Sequence, residues 1–101
     1  MKLDTAAHIL GQLGNETRLR IVRYLVKAGE DGVRVGELQE RLSIPASTLS
    51  HHLNHLKQAG LIEQRREGTT LFCTVNFSTM SSVAKFLTDE CCINARANRA
   101  A

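Results

Sequence analysis

SIPASTLSHHLNHLKQAG, residues Ser43–Gly60, decides how the rest of this chain is read. Pro45 breaks the preceding segment and suits the first turn of a new helix, where its missing N–H would be unpaired anyway. From Ser47 the residues run for about three and a half turns, and Gly60 stops them. At about 100° per residue, Leu49, Leu53 and Leu56 share one side, with His52 at its edge. The other side carries Ser47, His51, Asn54 and Gln58, flanked by Thr48, Ser50 and His55. Just upstream, GELQERL makes a two-turn helix with Leu38 and Leu42 inward. Two helices joined by a tight break, the second longer and polar on one side, form the helix-turn-helix signature.

Most polar stripes are merely solvated helix faces. This one nearly lacks the Lys and Glu that usually solubilise such a face. Short Ser, Thr, Asn and His side chains can approach base edges and phosphates closely in a major groove. The expectation is therefore a DNA-contacting face, with His52 set aside for a structural hydrogen bond.

Outward from this pair, LIEQRR and TLFCTV read as strands around EGT, with Gly68 supplying the positive φ of the turn. The hairpin carries Arg65 and Arg66 and follows the recognition helix, as a wing does. Arg65 and Arg66 alternate across the strand, so they point to opposite sides. One is expected at phosphate or in the minor groove beside Thr69, the other paired with Glu63 or Glu67. Towards the N-terminus, TAAHILGQL is a short amphipathic helix opened by Asp4 or Thr5. Asn15 then caps ETRLRIVRYLVKAG, whose inward stripe reads Leu19, Val22, Leu25 and Val26. Val33 and Arg34 form a very short strand. At the far end, STMSSVAKFLTDECC places Met80, Val83, Ala84, Leu87 and Cys91 on one face of a last helix. The predicted order is α-α-β-α-α-β-β-α, mainly α with a small β-hairpin.

The chain has 101 residues, 43% of them apolar, and a net charge of +3. That length makes one domain, with a core small enough that a second subunit would help to bury it. The charge is too mild to establish nucleic-acid binding without its placement. No stretch approaches the ~18 apolar residues of a membrane span. MKLDTAAHIL carries an Asp where a signal peptide is apolar, and three cysteines suit a reducing compartment. The cytoplasm is the expected location.

Together, ETRLRIVRYL, STLSHHLNHLKQAGLIEQRREGTTLF and the flanking helices resemble the ArsR/SmtB winged helix-turn-helix repressors. The resemblance covers Thr5–Cys92 and leaves 93–101 as a tail expected to fray. It implies a homodimer paired through the first and last helices, here Ile9, Leu13, Met80, Val83, Ala84 and Leu87. It also implies a repressor that sits on a palindromic double-stranded operator until an inducer binds.

Metal-sensing members commonly place cysteines on the helix before the turn. GELQERL has no Cys, His or Asp. A second family site uses Asp and His pairs on the last helix, which here offers only Asp89 and Glu90. A tetrahedral zinc site lacks its ligands at both places. Some arsenite-responsive members end the last helix with a Cys-Cys pair and a third Cys soon after. Cys91 and Cys92 match the pair, and CCINARANRAA offers no third. Three readings stay open for the pair: interface packing, thiolate binding of arsenite or antimonite, and oxidation or reaction with sulfur species. Cys73 reads as a small buried hydrophobe on a strand face.

Rival functions fit less well. A winged helix serving only protein contacts would favour acidic or large apolar residues on the polar face. A thiol relay would favour Cys-x-x-Cys at a helix N-terminus, where the dipole lowers the thiol pKa. No nucleophile-base set or phosphate loop suggests an enzyme.

Overall fold

The computed structural model describes residues 1–95. Its elements are α1 (Leu3–Leu13), α2 (Glu16–Ala28), a 3₁₀ turn (Gly29–Asp31), β1 (Val33–Arg34), α3 (Val35–Leu42), α4 (Ala46–Gln58), β2 (Ile62–Glu67), β3 (Thr70–Val75) and α5 (Phe77–Thr88). This is the expected order, and the fold is a mainly helical winged helix-turn-helix. The hairpin gains a third strand, because β1 pairs with β3 to give the antiparallel order β1-β3-β2. Most of the tail expected to fray, 96–101, lies outside the described residues. No helix among the described residues is long and apolar enough to cross a membrane.

One core joins the five helices and three strands. Ile21, Leu25, Leu38, Leu49, Leu56, Leu61, Val22 and Cys73 are its largest fully buried side chains. Each buried Leu or Ile stabilises the fold by roughly 1.5–3 kcal/mol relative to exposure. Gly32 lets β1 reach β3. A Cβ there would stand 2.8 Å from the Cys73 carbonyl oxygen, and the backbone has φ +82°. Asn15 caps α2 as expected, its Oδ1 accepting the Arg18 N–H at 3.0 Å. At Gly68 φ is +62°, as the wing turn needs.

Several boundaries and faces differ from the sequence reading. The first helix starts at Leu3, and Asp4 bonds to the Thr5 N–H inside its first turn instead of opening it. On α2 the inward residues are Ile21, Val22 and Leu25, while Leu19 and Val26 are 43% and 42% exposed. Leu19 and Val26 lie seven positions apart, about two turns, so they share a flank, and that flank looks outward. The recognition helix begins one residue earlier than read, with Pro45 as its N-cap, and ends at Gln58. Leu42 is only half-buried.

The last helix departs most. It is opened by Asn76, whose Oδ1 accepts the Thr79 N–H at 3.1 Å, and it closes at Thr88. Cys91 therefore does not continue its stripe; Asp89–Cys92 form turns beyond the helix. Of the residues assigned to the dimer face, Ile9 and Val83 are each 4% exposed within a single chain and belong to the shared core. They have almost no surface left to give a partner. Leu13 and Met80 pack half-buried against the same core, whereas Ala84 and Leu87 stand in solvent.

Candidate nucleic-acid interface

The turn between α3 and α4 is set by backbone chemistry. Ser43 takes the left-handed conformation (φ 54°, ψ 46°) and closes α3. The Ile44 N–H then donates to the Gln39 carbonyl at 3.1 Å, and the Ile44 side chain is buried. Arg20 reaches across from α2 to donate to the Leu42 carbonyl at 3.2 Å. Tyr24 donates to Glu37 Oε2 at 2.8 Å, fixing α3 to α2, and this bond raises the Tyr24 pKa. So anchored, α3 holds the start of α4 in place.

On α4 the buried residues are Leu49, Leu53 and Leu56. Ser47, Thr48, Ser50, His51, Asn54 and Gln58 are all exposed, and His55 is half-buried. The helix thus carries a continuous polar face over a fully packed back. Along that face the His51 and His55 rings meet edge to face, with centroids 4.5 Å apart and Nε2 atoms 3.2 Å apart.

His52 turns away from this face. Its Nδ1 lies 3.4 Å from Arg18 Nη1, and Arg18 Nε donates to the Gln12 carbonyl at 2.6 Å. An arginine can only donate, so His52 must accept through an unprotonated Nδ1. Burial first, then the Arg18 charge, hold its pKa below the ordinary histidine value. The structural hydrogen bond expected of His52 is thus a link from the recognition helix to α1 and α2. Sequence offered no sign of Arg18 as the partner, 34 residues away.

The two wing arginines separate as alternation requires. Arg65 is tied down: its Nε is 2.9 Å from Glu67 Oε1, its Nη2 donates to the Asp31 carbonyl at 3.0 Å, and its guanidinium covers the Phe72 ring at 4.7 Å. Arg66 is exposed and makes no ion pair among the described residues; Thr69 is exposed beside it at the turn. Glu63 accepts instead from Asn76 at 3.4 Å. Lys57, at the end of α4, donates to Gln64 at 3.3 Å and fixes the helix to the wing.

The thiols fall into two environments. Cys73 is fully buried, and that burial pushes its pKa up, opposed by a hydrogen bond from Gln64. Cys91 and Cys92 are exposed, with sulfurs 3.3 Å apart, and Cys92 has φ 66°. Beside Cys91, Leu3, Phe86 and Leu87 line a shallow cleft between the start of α1 and the end of α5. Among the described residues, no three His, Cys, Asp or Glu side chains gather where they could hold a metal ion.

A packed helix-turn-helix, a polar recognition face and an adjoining hairpin that leaves Arg66 exposed define a winged helix-turn-helix DNA-binding protein. The family model of a helix-turn-helix domain matches residues 13–65. The transcriptional activator HlyU of Vibrio cholerae is 34% identical over 81% of this chain and 73% of its own length. Its solved structure aligns with a TM-score of 0.72 over 91% of this chain and 99% of that one, at 32% identity. A putative arsenical resistance operon repressor of Halobacterium salinarum is 39% identical over 65% of this chain and 50% of its own. The homodimeric winged helix-turn-helix domain of Mb0332 from Mycobacterium bovis, described as a possible ArsR-family regulator, aligns over 88% of this chain and 82% of its own. That alignment has a TM-score of 0.68 at 28% identity. The chain belongs to the ArsR family of DNA-binding transcriptional regulators, a family of regulators and not of enzymes.

Proposed function

We propose that two copies of this chain bind a palindromic operator as a repressor, each laying the polar face of α4 into a major groove. The observation that carries this reading is that face itself: six exposed hydroxyl, amide and imidazole side chains on a helix whose back is fully packed. His51 and Asn54 sit at its centre and read base edges, while Ser47, Thr48, Ser50, His55, Gln58 and Thr69 touch phosphates and flanking bases. Arg66, unpaired among the described residues, meets the backbone or the narrow groove. Arg65 chiefly stiffens the wing. The second copy docks through α1 and α5, where Leu3 and Leu87 are 75% and 63% exposed. The relative described as homodimeric supports a two-copy assembly.

Release is assigned to a thiol-reactive inducer at Cys91 and Cys92. Both sulfurs are accessible and near enough for one soft ion of the arsenite or antimonite type to take both as thiolates. An internal disulfide is the poorer fit. Adjacent Cα atoms lie about 3.8 Å apart, short of the roughly 4.4–6.8 Å that disulfides prefer. The pair adjoins Leu87 on the docking face, so an ion there alters how the two copies meet and how their recognition helices are spaced.

Gel shifts with the DNA upstream of its own gene test the reading. The double substitution His51→Ala and Asn54→Ala removes the specific complex; an unaltered operator affinity would contradict the proposal. Cys91→Ser with Cys92→Ser keeps DNA binding and loses release by arsenite. A double variant still released by arsenite would exclude this sensor.

A further inference from the structure

We infer that His51 and His55 form a chelating site for one late first-row divalent ion, such as Ni²⁺, Zn²⁺ or Cu²⁺, on the face of the recognition helix. The two imidazoles stand one helical turn apart, and their Nε2 atoms converge to 3.2 Å with the rings nearly perpendicular. Histidines at i and i+4 of one helix are the spacing that holds zinc in helical metal motifs. With metal–nitrogen bonds of about 2.0–2.1 Å, a right-angle bite separates two nitrogens by about 2.9 Å and a tetrahedral bite by about 3.3 Å. The observed separation falls between the two. Unliganded, the rings meet through one shared hydrogen, which requires Nε2–H on one and a bare Nε2 on the other. An ion displaces that hydrogen and takes both lone pairs, each ring then being protonated at Nδ1.

Imidazole nitrogen is a preferred ligand for these ions. The site also comes preorganised, since Leu53 and Leu56 fix the helix from behind and Lys57 is held away on Gln64. Only two protein ligands are present, so water completes the shell. That makes an exchangeable site, unlike a closed structural zinc site. The consequence for DNA rests on the groove placement proposed above. A hydrated dication seated on His51 and His55 occupies the space a base edge would take, so ion and operator compete.

Metal binding is measured on the full chain without DNA, which separates the two ideas. Ni²⁺ is titrated as its chloride into the Cys91→Ser, Cys92→Ser variant while the imidazole ring signals are followed by NMR. The His51 and His55 signals broaden first, at substoichiometric ion, ahead of His8. His55→Ala, which leaves the leucine back of the helix untouched, raises the Ni²⁺ needed to broaden His51 by about 10–100-fold, the range seen when even supporting groups of a metal site are removed. Broadening of His8 in step with His51, or no effect of His55→Ala, overturns the site. Ni²⁺ bound at the pair with DNA affinity unchanged would leave the site standing and contradict the groove placement of α4.

Discussion

On α4, Leu49, Leu53 and Leu56 are at most 4% exposed while the polar side chains opposite them stand in solvent. On α5 only Val83 is buried, and Ala84 and Leu87 are left open alongside Leu3 of α1. Both helices are amphipathic, yet one buries its apolar side within the chain and the other does not. The first is a finished surface, ready for a polar partner. The second is finished only when another apolar surface covers it, and in the proposed dimer a second copy of the chain supplies one with the same residues exposed.

Four perturbations sharpen or break that contrast. The largest effect belongs to the packed back of the recognition helix. Leu56→Ala costs about 2–5 kcal/mol of stability, because the site is fully buried. Leu87→Ala changes the stability of the isolated chain by no more than about 0.5 kcal/mol, as an exposed substitution does. Chemical denaturation of both variants at low protein concentration checks the pair. Equal destabilisation would erase the distinction between the helices.

Next comes the polar face. With α4 in the groove as proposed, truncating His51 or Asn54 weakens specific binding by about 1–3 kcal/mol each, the worth of a contact to a base edge. Fluorescence anisotropy on operator DNA reads this, with the thermal midpoint of the protein unmoved. A smaller effect separates the arginines. Arg66→Ala lowers the slope of log affinity against log salt by about 1, as expected when one phosphate is no longer neutralised. Arg65→Ala lowers it less, because that side chain is already engaged.

The smallest effect is one of pH. His52 is held neutral, with its pKa depressed by burial and by Arg18. The unfolded chain therefore binds a proton that the folded chain resists. The resulting stability is present above the ordinary histidine pKa and is lost as pH falls through the depressed value. Thermal melts across the weakly acidic range show this loss, and His52→Gln flattens it.

How much of this could be read in the residues follows from the same contrast. The helix-turn-helix was legible because Pro45, Gly60 and three leucines at helical spacing all act locally, and Gly68 marked the wing turn in the same way. Asn15 announced its cap. Ser43 did not announce its left-handed φ, because serine has no special preference for it and the turn is imposed by the Ile44 side chain seeking the core. Leu19 and Val26 misled, since apolar periodicity shows a face without saying what covers it. Ile9 and Val83 misled in the opposite sense: they are covered, but within their own chain. Cys91 falls on the apolar stripe only if α5 runs past Thr88, and the sequence there carries no stop signal to show that it ends. Strand alternation separates Arg65 from Arg66 in the sequence itself, and only the positions of Glu67 and the Asp31 carbonyl decide which is tied.

Two α4 faces spaced for one duplex is the claim on which the function rests, and selection of bound sequences from random double-stranded DNA tests it directly. Paired recognition helices predict an inverted repeat whose half-sites are centred about 10 base pairs apart, or a multiple of one helical turn. Enrichment of a single unrepeated motif, or of nothing above the starting pool, would contradict it.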